Sequence, residues 1–112
     1  MKTVRFAPLA ELDLEAIWSY IAADDAERAT DFINALVQKC GLLAQNSALG
    51  KTRSDLLINL RSFPHKNYII FYFPTEYGAD IYRVLHGARD IDEVFDDLID
   101  ALPSPADNLN TT

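Results

Sequence analysis

The feature that most constrains the fold of this chain is a change in the spacing of its apolar residues. From Pro8 to about Leu43 they recur at the spacing of amphipathic helices. From Leu56 to His86 they alternate with polar residues or form short continuous runs, which is typical of strands. Each part has one apolar side to bury, so the pattern predicts helices packed on a sheet.

The helical part divides into two helices. Pro8 suits the first turn of the first helix, because its missing N–H is not needed there, and this helix is predicted to end near Ala23. Asp24 is predicted to cap the second helix, with Glu27 in a capping-box arrangement. A link this short makes the pair an antiparallel hairpin. The apolar stripes are Leu9, Leu12, Ala16 and Tyr20, joined by Ile17 and Ile21, in the first helix, and Ala29, Phe32, Ile33, Leu36, Cys40 and Leu43 in the second.

Four strands are predicted. A short one covers residues 2–6, and after a polar loop three more cover residues 56–63, 68–73 and 79–86. The last three are joined by turns of hairpin length, so they form an antiparallel meander. Simple alternation along the last strand puts two sets of side chains on opposite faces. One set is Ile81, Arg83 and Leu85, and the other is Tyr82, Val84 and His86.

A final helix is predicted to begin at Asp90 and to stop at Pro103. Its apolar stripe is Ile91, Val94, Phe95, Leu98 and Leu102. Residues 104–112 are polar and lack periodicity, so they are predicted to be a disordered tail. The predicted fold class is α+β, with a helical hairpin packed on an antiparallel sheet in the order βααβββ plus a C-terminal helix. A single domain is expected to span residues 1–103.

Charge and composition exclude several classes of function. The net charge is −7, and residues 90–112 carry seven acidic and no basic side chains. We expect no direct nucleic-acid binding, because gripping phosphates needs several Lys or Arg on one surface. The single cysteine, Cys40, is expected to be a small buried residue, and the two histidines show no metal-ligand spacing, so neither a metal nor a cofactor is expected. No signal peptide or membrane span is expected either, which predicts a cytoplasmic protein.

Three local patterns, in this order, resemble the ParE/RelE toxin superfamily. The first is the opening of the first helix, residues 8–21, in which acidic residues precede Ile17-x-x-Tyr20-Ile21. The second is Leu60-Arg61 followed by Tyr68-x-Ile70-x-Tyr72. The third is the strand from Tyr82 that runs into His86-x-x-Arg89-Asp90, and it is similar to the ending of ParE-type toxins.

The resemblance implies a toxin of a type II toxin–antitoxin module with a role in plasmid stabilisation. A ParE-type toxin would inhibit DNA gyrase by binding it and would be neutralised by a ParD-like antitoxin, without being an enzyme. The alternative within the superfamily is a RelE-like endoribonuclease that cuts messenger RNA on the ribosome. A third reading is a toxin remnant that has no target. The two active branches share a fold, so the fold alone does not choose between them.

The nuclease alternative would use Arg61 and Arg83 to stabilise negative charge and His86 as an acid or base. The acidic C-terminal segment and the lack of a dense Lys/Arg cluster disfavour it. No tyrosine follows the last strand, where several such nucleases place a catalytic one. In the binding reading, five residues are candidates for contact with the target or the antitoxin: Trp18, Arg61, Arg83, Arg89 and Phe95.

Structural roles remain open for the same residues. Arg61 and Arg83 are also suited to pairing with carboxylates. His86 is also suited to a hydrogen-bonded structural role, and Arg89-Asp90 to ordering the turn before the last helix, with Asp90 as its N-cap. Trp18 fits either core packing or an interface anchor. The apolar stripe of the last helix is predicted either to fold back on the sheet or to bind a partner. The outer surface of the hairpin and the sheet edge near Arg61 are the predicted antitoxin contacts.

Overall fold

The computed structural model describes residues 2–87, 90, 91, 94 and 95. Its elements are β1 (Thr3–Phe6), α1 (Pro8–Ala22), α2 (Ala26–Gln45), β2 (Lys51–Thr52), β3 (Arg61–His65), β4 (Tyr68–Thr75) and β5 (Gly78–His86). The strands form one sheet in the order β1-β5-β4-β3-β2. Among the described residues, β1 and β5 are the only neighbouring strands that run parallel. The predicted α+β fold is confirmed, with the difference that the sheet is mixed rather than wholly antiparallel.

Helix α1 buries only part of the stripe predicted for it. Of that stripe, Ile17 is buried against the sheet and Ile21 is partly buried, joined by Ala10 and Leu14, which were not predicted. The other large members face solvent, with exposed fractions of 50% for Leu9, 57% for Leu12 and 67% for Tyr20. The helix carries two apolar stripes, and the one that contains the small, fully buried Ala10 lets the helix lie close to the sheet.

Helix α2 keeps its predicted stripe but not its predicted cap. Asp25, rather than Asp24, is the N-cap, and its carboxylate accepts a hydrogen bond from the backbone N–H of Arg28 at 3.1 Å. The backbone N–H groups of Asp24 and Asp25 both donate to the carbonyl of Ile21, which closes α1 before α2 begins. Cys40 is completely buried in the core, as predicted.

The strand predicted from Leu56 begins only at Arg61. Residues 54–59 form turns, held by a hydrogen bond from the Leu56 N–H to the Arg53 carbonyl, and Asn59 has a φ of 68°. Leu56 and Leu57 pack on the sheet face opposite the helices, whereas Ile58 is 80% exposed, and none of the three pairs as a strand. The turn predicted at 64–67 is also shorter, because Pro64 belongs to β3. β2 pairs only with Arg61 and Ser62, so Pro64 lies on an open edge that needs no N–H from it.

A β-bulge in β5 overturns the predicted alternation of that strand. Phe71 pairs with Arg83 and Tyr72 pairs with Ile81, which leaves Tyr82 as the extra residue. The insertion reverses the faces beyond it. Ile81 and Val84, three positions apart, therefore both reach the core beneath the helices, whereas Leu85 belongs to the cluster on the opposite face.

The two faces of the sheet carry separate apolar clusters. The face under α1 and α2 holds Leu36, Cys40, Leu43, Ile70, Tyr72 and Ile81 among others. The far face holds Leu60, Phe71, Leu85 and Phe95, with Ile91 and Val94 packed against them. The Val94 N–H donates to the Asp90 carbonyl at 3.0 Å, a helical spacing at the predicted start of the last helix. The rest of that helix, the domain limit at residue 103 and the tail 104–112 lie outside the described residues.

Candidate functional site

An ion pair between Asp13 of α1 and Arg83 of β5 ties the helical hairpin to the sheet. Arg83 donates from Nε to Asp13 Oδ2 at 2.8 Å and from Nη2 to Oδ1 at 2.9 Å, which is a bidentate arrangement. The side chain of Arg83 is only 17% exposed, and that of Asp13 is 13% exposed. The hydrogen bonds to Asp13 raise the pKa of Arg83 above its usual value. The charge of Arg83 is therefore largely neutralised within the protein.

The same carboxylate also completes the edge of the sheet. β1 ends at Phe6, and the hydrogen bond from the Ala7 N–H to the Ile81 carbonyl is the last one along this edge. Beyond it, Asp13 Oδ2 accepts the backbone N–H of Val84 at 2.9 Å. Asp13 thus takes the place of a neighbouring strand at a position where an unpaired N–H would otherwise be left.

Arg61 anchors the segment that follows α2. Its Nη1 donates to the carbonyl oxygens of Gly50 at 2.6 Å and Ala48 at 3.3 Å. The sheet edge near Arg61, predicted to contact the antitoxin, carries the short strand β2. Arg61 therefore holds the loop after α2 in place, and its contact with the target or the antitoxin remains a prediction.

Tyr72 holds the same segment from beneath. Its hydroxyl donates to the Ser47 carbonyl at 2.8 Å and accepts the Gly50 N–H at 2.8 Å, while its ring is fully buried. Burial raises the pKa of Tyr72, so the hydroxyl stays protonated near neutral pH. A Cβ on Gly50 would overlap the Tyr72 hydroxyl and would lie 2.9 Å from the Ser62 carbonyl oxygen.

Tyr72→Phe is expected to lower the free energy of unfolding by about 1–3 kcal/mol, because the buried Gly50 N–H loses its acceptor. Equilibrium urea unfolding of both proteins measures the difference. Phe73→Tyr, which adds a hydroxyl on the neighbouring residue, tests whether any change in ring chemistry on β4 has this effect. A Tyr72→Phe protein as stable as the wild type would show that the hydroxyl does not hold the loop.

His86 lies at the end of β5 beside a cleft of about 400 Å³. Its ring meets the edge of Tyr68 with centroids 5.4 Å apart, and its backbone N–H donates to the Asp90 carboxylate at 3.1 Å. The Asp90 carboxylate thereby binds the end of β5. The cleft is lined by Tyr20, Ile21, Arg28, Phe32, Asn67, Tyr68 and His86. The three residues of the nuclease alternative thus contact different groups: Arg61 a loop, Arg83 helix α1, and His86 a ring of β4.

The remaining candidates have distinct surroundings. Trp18 donates from Nε1 to Thr30 Oγ1 at 3.2 Å, which links the two helices, and it is still 39% exposed. Phe95 packs against Phe71 with centroids 4.9 Å apart and is 2% exposed, so this member of the predicted stripe packs on the sheet. Arg89 lies outside the described residues. Within the described part of the chain, no cluster of three or more potential metal ligands occurs, and no helix is long and apolar enough to cross a membrane.

Sequence reasoning missed Asp13 and Tyr72. The partner of Asp13 is 70 residues away along the chain, so no local pattern signals the pair. Tyr72 lies in an apolar run that conceals its hydroxyl. Sequence reasoning also assigned to the core four residues that the structure exposes, Leu9, Leu12, Ala16 and Tyr20, which we call the α1 stripe. This stripe runs over three turns of exposed helix, and apolar surface of this kind marks sites of protein contact.

The helical hairpin packed on one face of a five-stranded mixed sheet defines an α+β fold. A solved structure described as a chromosomal ParDE TA system from P. aeruginosa has the same fold, with a TM-score of 0.65. Its sequence is 19% identical, and the match covers 77% of this chain and 96% of that chain. No curated protein sequence matches significantly.

The sequence profile described as ParE toxin of type II toxin-antitoxin system, parDE, matches residues 4–91. The protein therefore belongs to the ParE toxin family of type II toxin–antitoxin systems.

Proposed function

We propose that this toxin acts in the cytoplasm by binding DNA gyrase, that it has no catalytic activity of its own, and that a ParD-like antitoxin holds it inactive. The observation that carries the proposal is the match to the ParE family over residues 4–91. That match spans both helices of the hairpin and all the described strands except Thr3, the first residue of β1. The gyrase target is what membership of this branch of the superfamily implies.

The state of the two arginines supports binding rather than catalysis. A nuclease needs cationic groups aimed at the phosphate in the transition state. Arg83 has its guanidinium in a bidentate pair with Asp13, and Arg61 has its own on two backbone carbonyls. Arg83 could act on RNA only by breaking the ion pair that ties the hairpin to the sheet, and Arg61 already donates from Nη1 to the loop after α2.

Purified gyrase with the toxin freed of its antitoxin tests this function directly. Loss of supercoiling activity, or trapped cleavage complexes, at near-stoichiometric amounts is the expected result. Cleavage of messenger RNA in a translating extract, without any effect on gyrase, would replace this proposal by the nuclease. No effect in either assay would identify a remnant without a target.

The α1 stripe is the proposed antitoxin surface. Leu12 and Tyr20 lie on it at helical spacing, and an amphipathic helix of the antitoxin with a matching apolar face would cover it. Such a partner would shield large apolar side chains that the toxin alone leaves in water.

Leu12→Glu is expected to weaken antitoxin binding about tenfold or more, because it places a charge in the centre of an apolar contact. Since Leu12 is 57% exposed, stability should change by less than about 0.5 kcal/mol. Titration calorimetry with a cognate antitoxin measures the affinity. Leu42→Glu, at a 43% exposed position on α2, is the matched control, and an equal loss in both variants would argue against the α1 stripe.

A further inference from the structure

A second cleft, of about 410 Å³, opens on the sheet face opposite the two helices. Arg5 of β1 and Phe73 of β4 both pair in register with Asp80 of β5, so the three side chains share that face. The bulge adds Tyr82 to the same face, where its ring meets that of Phe73 with centroids 5.5 Å apart. Bulges commonly re-aim a side chain beside a functional site. We call this region the aromatic cleft.

The described residues cover only part of the far face of the sheet. Phe71 and Leu85 are buried there beneath Phe95, and Leu56 and Leu57 pack against the same cluster. Phe73 and Tyr82 lie at the border of that cluster and remain partly accessible. Among the described residues, none outside its own lining covers the aromatic cleft.

The cleft combines aromatic walls with one donor and one acceptor. The Arg5 guanidinium lies over the Tyr77 ring, 4.2 Å from its centroid, and the Tyr77 hydroxyl donates to Asp80 Oδ1. Among the described residues the ion pairs are Arg53–Asp55 and Arg83–Asp13, so Arg5 and Asp80 are neighbours that do not form one. Guanidinium N–H groups therefore remain for a carbonyl, and carboxylate lone pairs remain for an N–H.

This charge pattern complements a segment of polypeptide. An extended backbone presents a carbonyl acceptor and an amide donor side by side, which match Arg5 and Asp80, respectively. The ring walls of Phe73, Tyr77 and Tyr82 suit one aromatic or large aliphatic side chain inserted between them. Interfaces concentrate their binding energy at such aromatic and arginine-containing pockets.

We propose that the aromatic cleft is the surface with which the toxin grips gyrase, and that it takes an extended gyrase segment anchored by an aromatic or large aliphatic side chain. This assignment rests on the gyrase function proposed above. It places the target on the sheet face and leaves the α1 stripe, on the opposite side of the sheet, for the antitoxin.

Two substitutions in the cleft test the assignment. Tyr82→Ala removes a wall, and Asp80→Asn removes the acceptor charge while its amide oxygen can still accept the Tyr77 hydroxyl. Controls are Leu42→Ala and Asp31→Asn, at exposed positions on α2. Each protein is assayed for gyrase binding by surface plasmon resonance, for inhibition of supercoiling, for antitoxin binding and for thermal unfolding. Antitoxin binding and thermal unfolding separate a specific loss of the cleft from a general loss of the fold.

Tyr82→Ala is expected to weaken gyrase binding and inhibition about tenfold or more, and Asp80→Asn about three- to tenfold, with antitoxin affinity unchanged. If the wild type inhibits gyrase and both folded cleft variants inhibit it equally well, the assignment is wrong while the gyrase function stands. If both variants lose antitoxin affinity instead, the cleft belongs to the antitoxin. A wild type without effect on gyrase overturns the gyrase function and this assignment with it.

Discussion

Asp13→Ala is expected to lower the free energy of unfolding by about 2–4 kcal/mol, one of the two largest effects in this protein. The substitution leaves the Arg83 guanidinium, which is mostly shielded from water, without its bidentate partner. It also removes the acceptor of the Val84 N–H at the edge of β5. Both losses fall at the junction between the helical hairpin and the sheet, so equilibrium urea unfolding should show a lower midpoint.

The control for Asp13 is Glu15→Ala on the same helix. Glu15 is exposed, and its removal changes the net charge equally, so a shift within about 0.5 kcal/mol is expected. Arg83→Ala and the double variant complete a thermodynamic cycle that isolates the pair from the Val84 contact. Equal stabilities of the Asp13→Ala and Glu15→Ala proteins would show that the pair contributes nothing beyond an ordinary surface charge.

Gly78→Ala is expected to be at least as damaging, at about 2–4 kcal/mol, because two penalties coincide. Gly78 has a φ of 145°, a backbone conformation that residues with a side chain rarely adopt. A Cβ at this position would also overlap the backbone of Thr3, because it would lie 2.9 Å from the Thr3 nitrogen. Gly78 and Thr3 are register partners, so the new methyl group would push β1 away from β5. Thermal and urea unfolding measure the loss, and amide hydrogen exchange in residues 3–6 should rise with it.

Gly41→Ala provides a control of opposite sign. Gly41 lies inside α2, and nothing comes within 4 Å of a Cβ built on it. Alanine is the better helix former, so this variant should be more stable by about 0.5–1 kcal/mol. A Gly78→Ala protein that matches the wild type in stability would show that β1 can shift to make room at little cost.

The candidate residues show how far sequence reasoning reaches. Arg83 could be selected from its position on a strand, and pairing with a carboxylate was one of the predicted outcomes. The identity of that carboxylate could not be predicted, because Asp13 and Arg83 are separated by most of the chain. The aromatic cleft was equally hidden. Its polar and aromatic residues come from β1, β4, β5 and the turn between β4 and β5, and Tyr82 joins them only through a bulge that strict alternation does not predict.

Apart from the two-residue strand β2, the sequence by itself determined the kinds of elements, their order and the family. Apolar spacing is a local property of consecutive residues, so it predicts a helical hairpin followed by a meander of strands without knowledge of the packing. The tertiary structure decided which of two apolar faces of α1 was buried, where β5 reversed its faces, and which partners Arg61 and Arg83 took. Those outcomes depend on contacts between residues far apart in the chain, and local periodicity does not encode them.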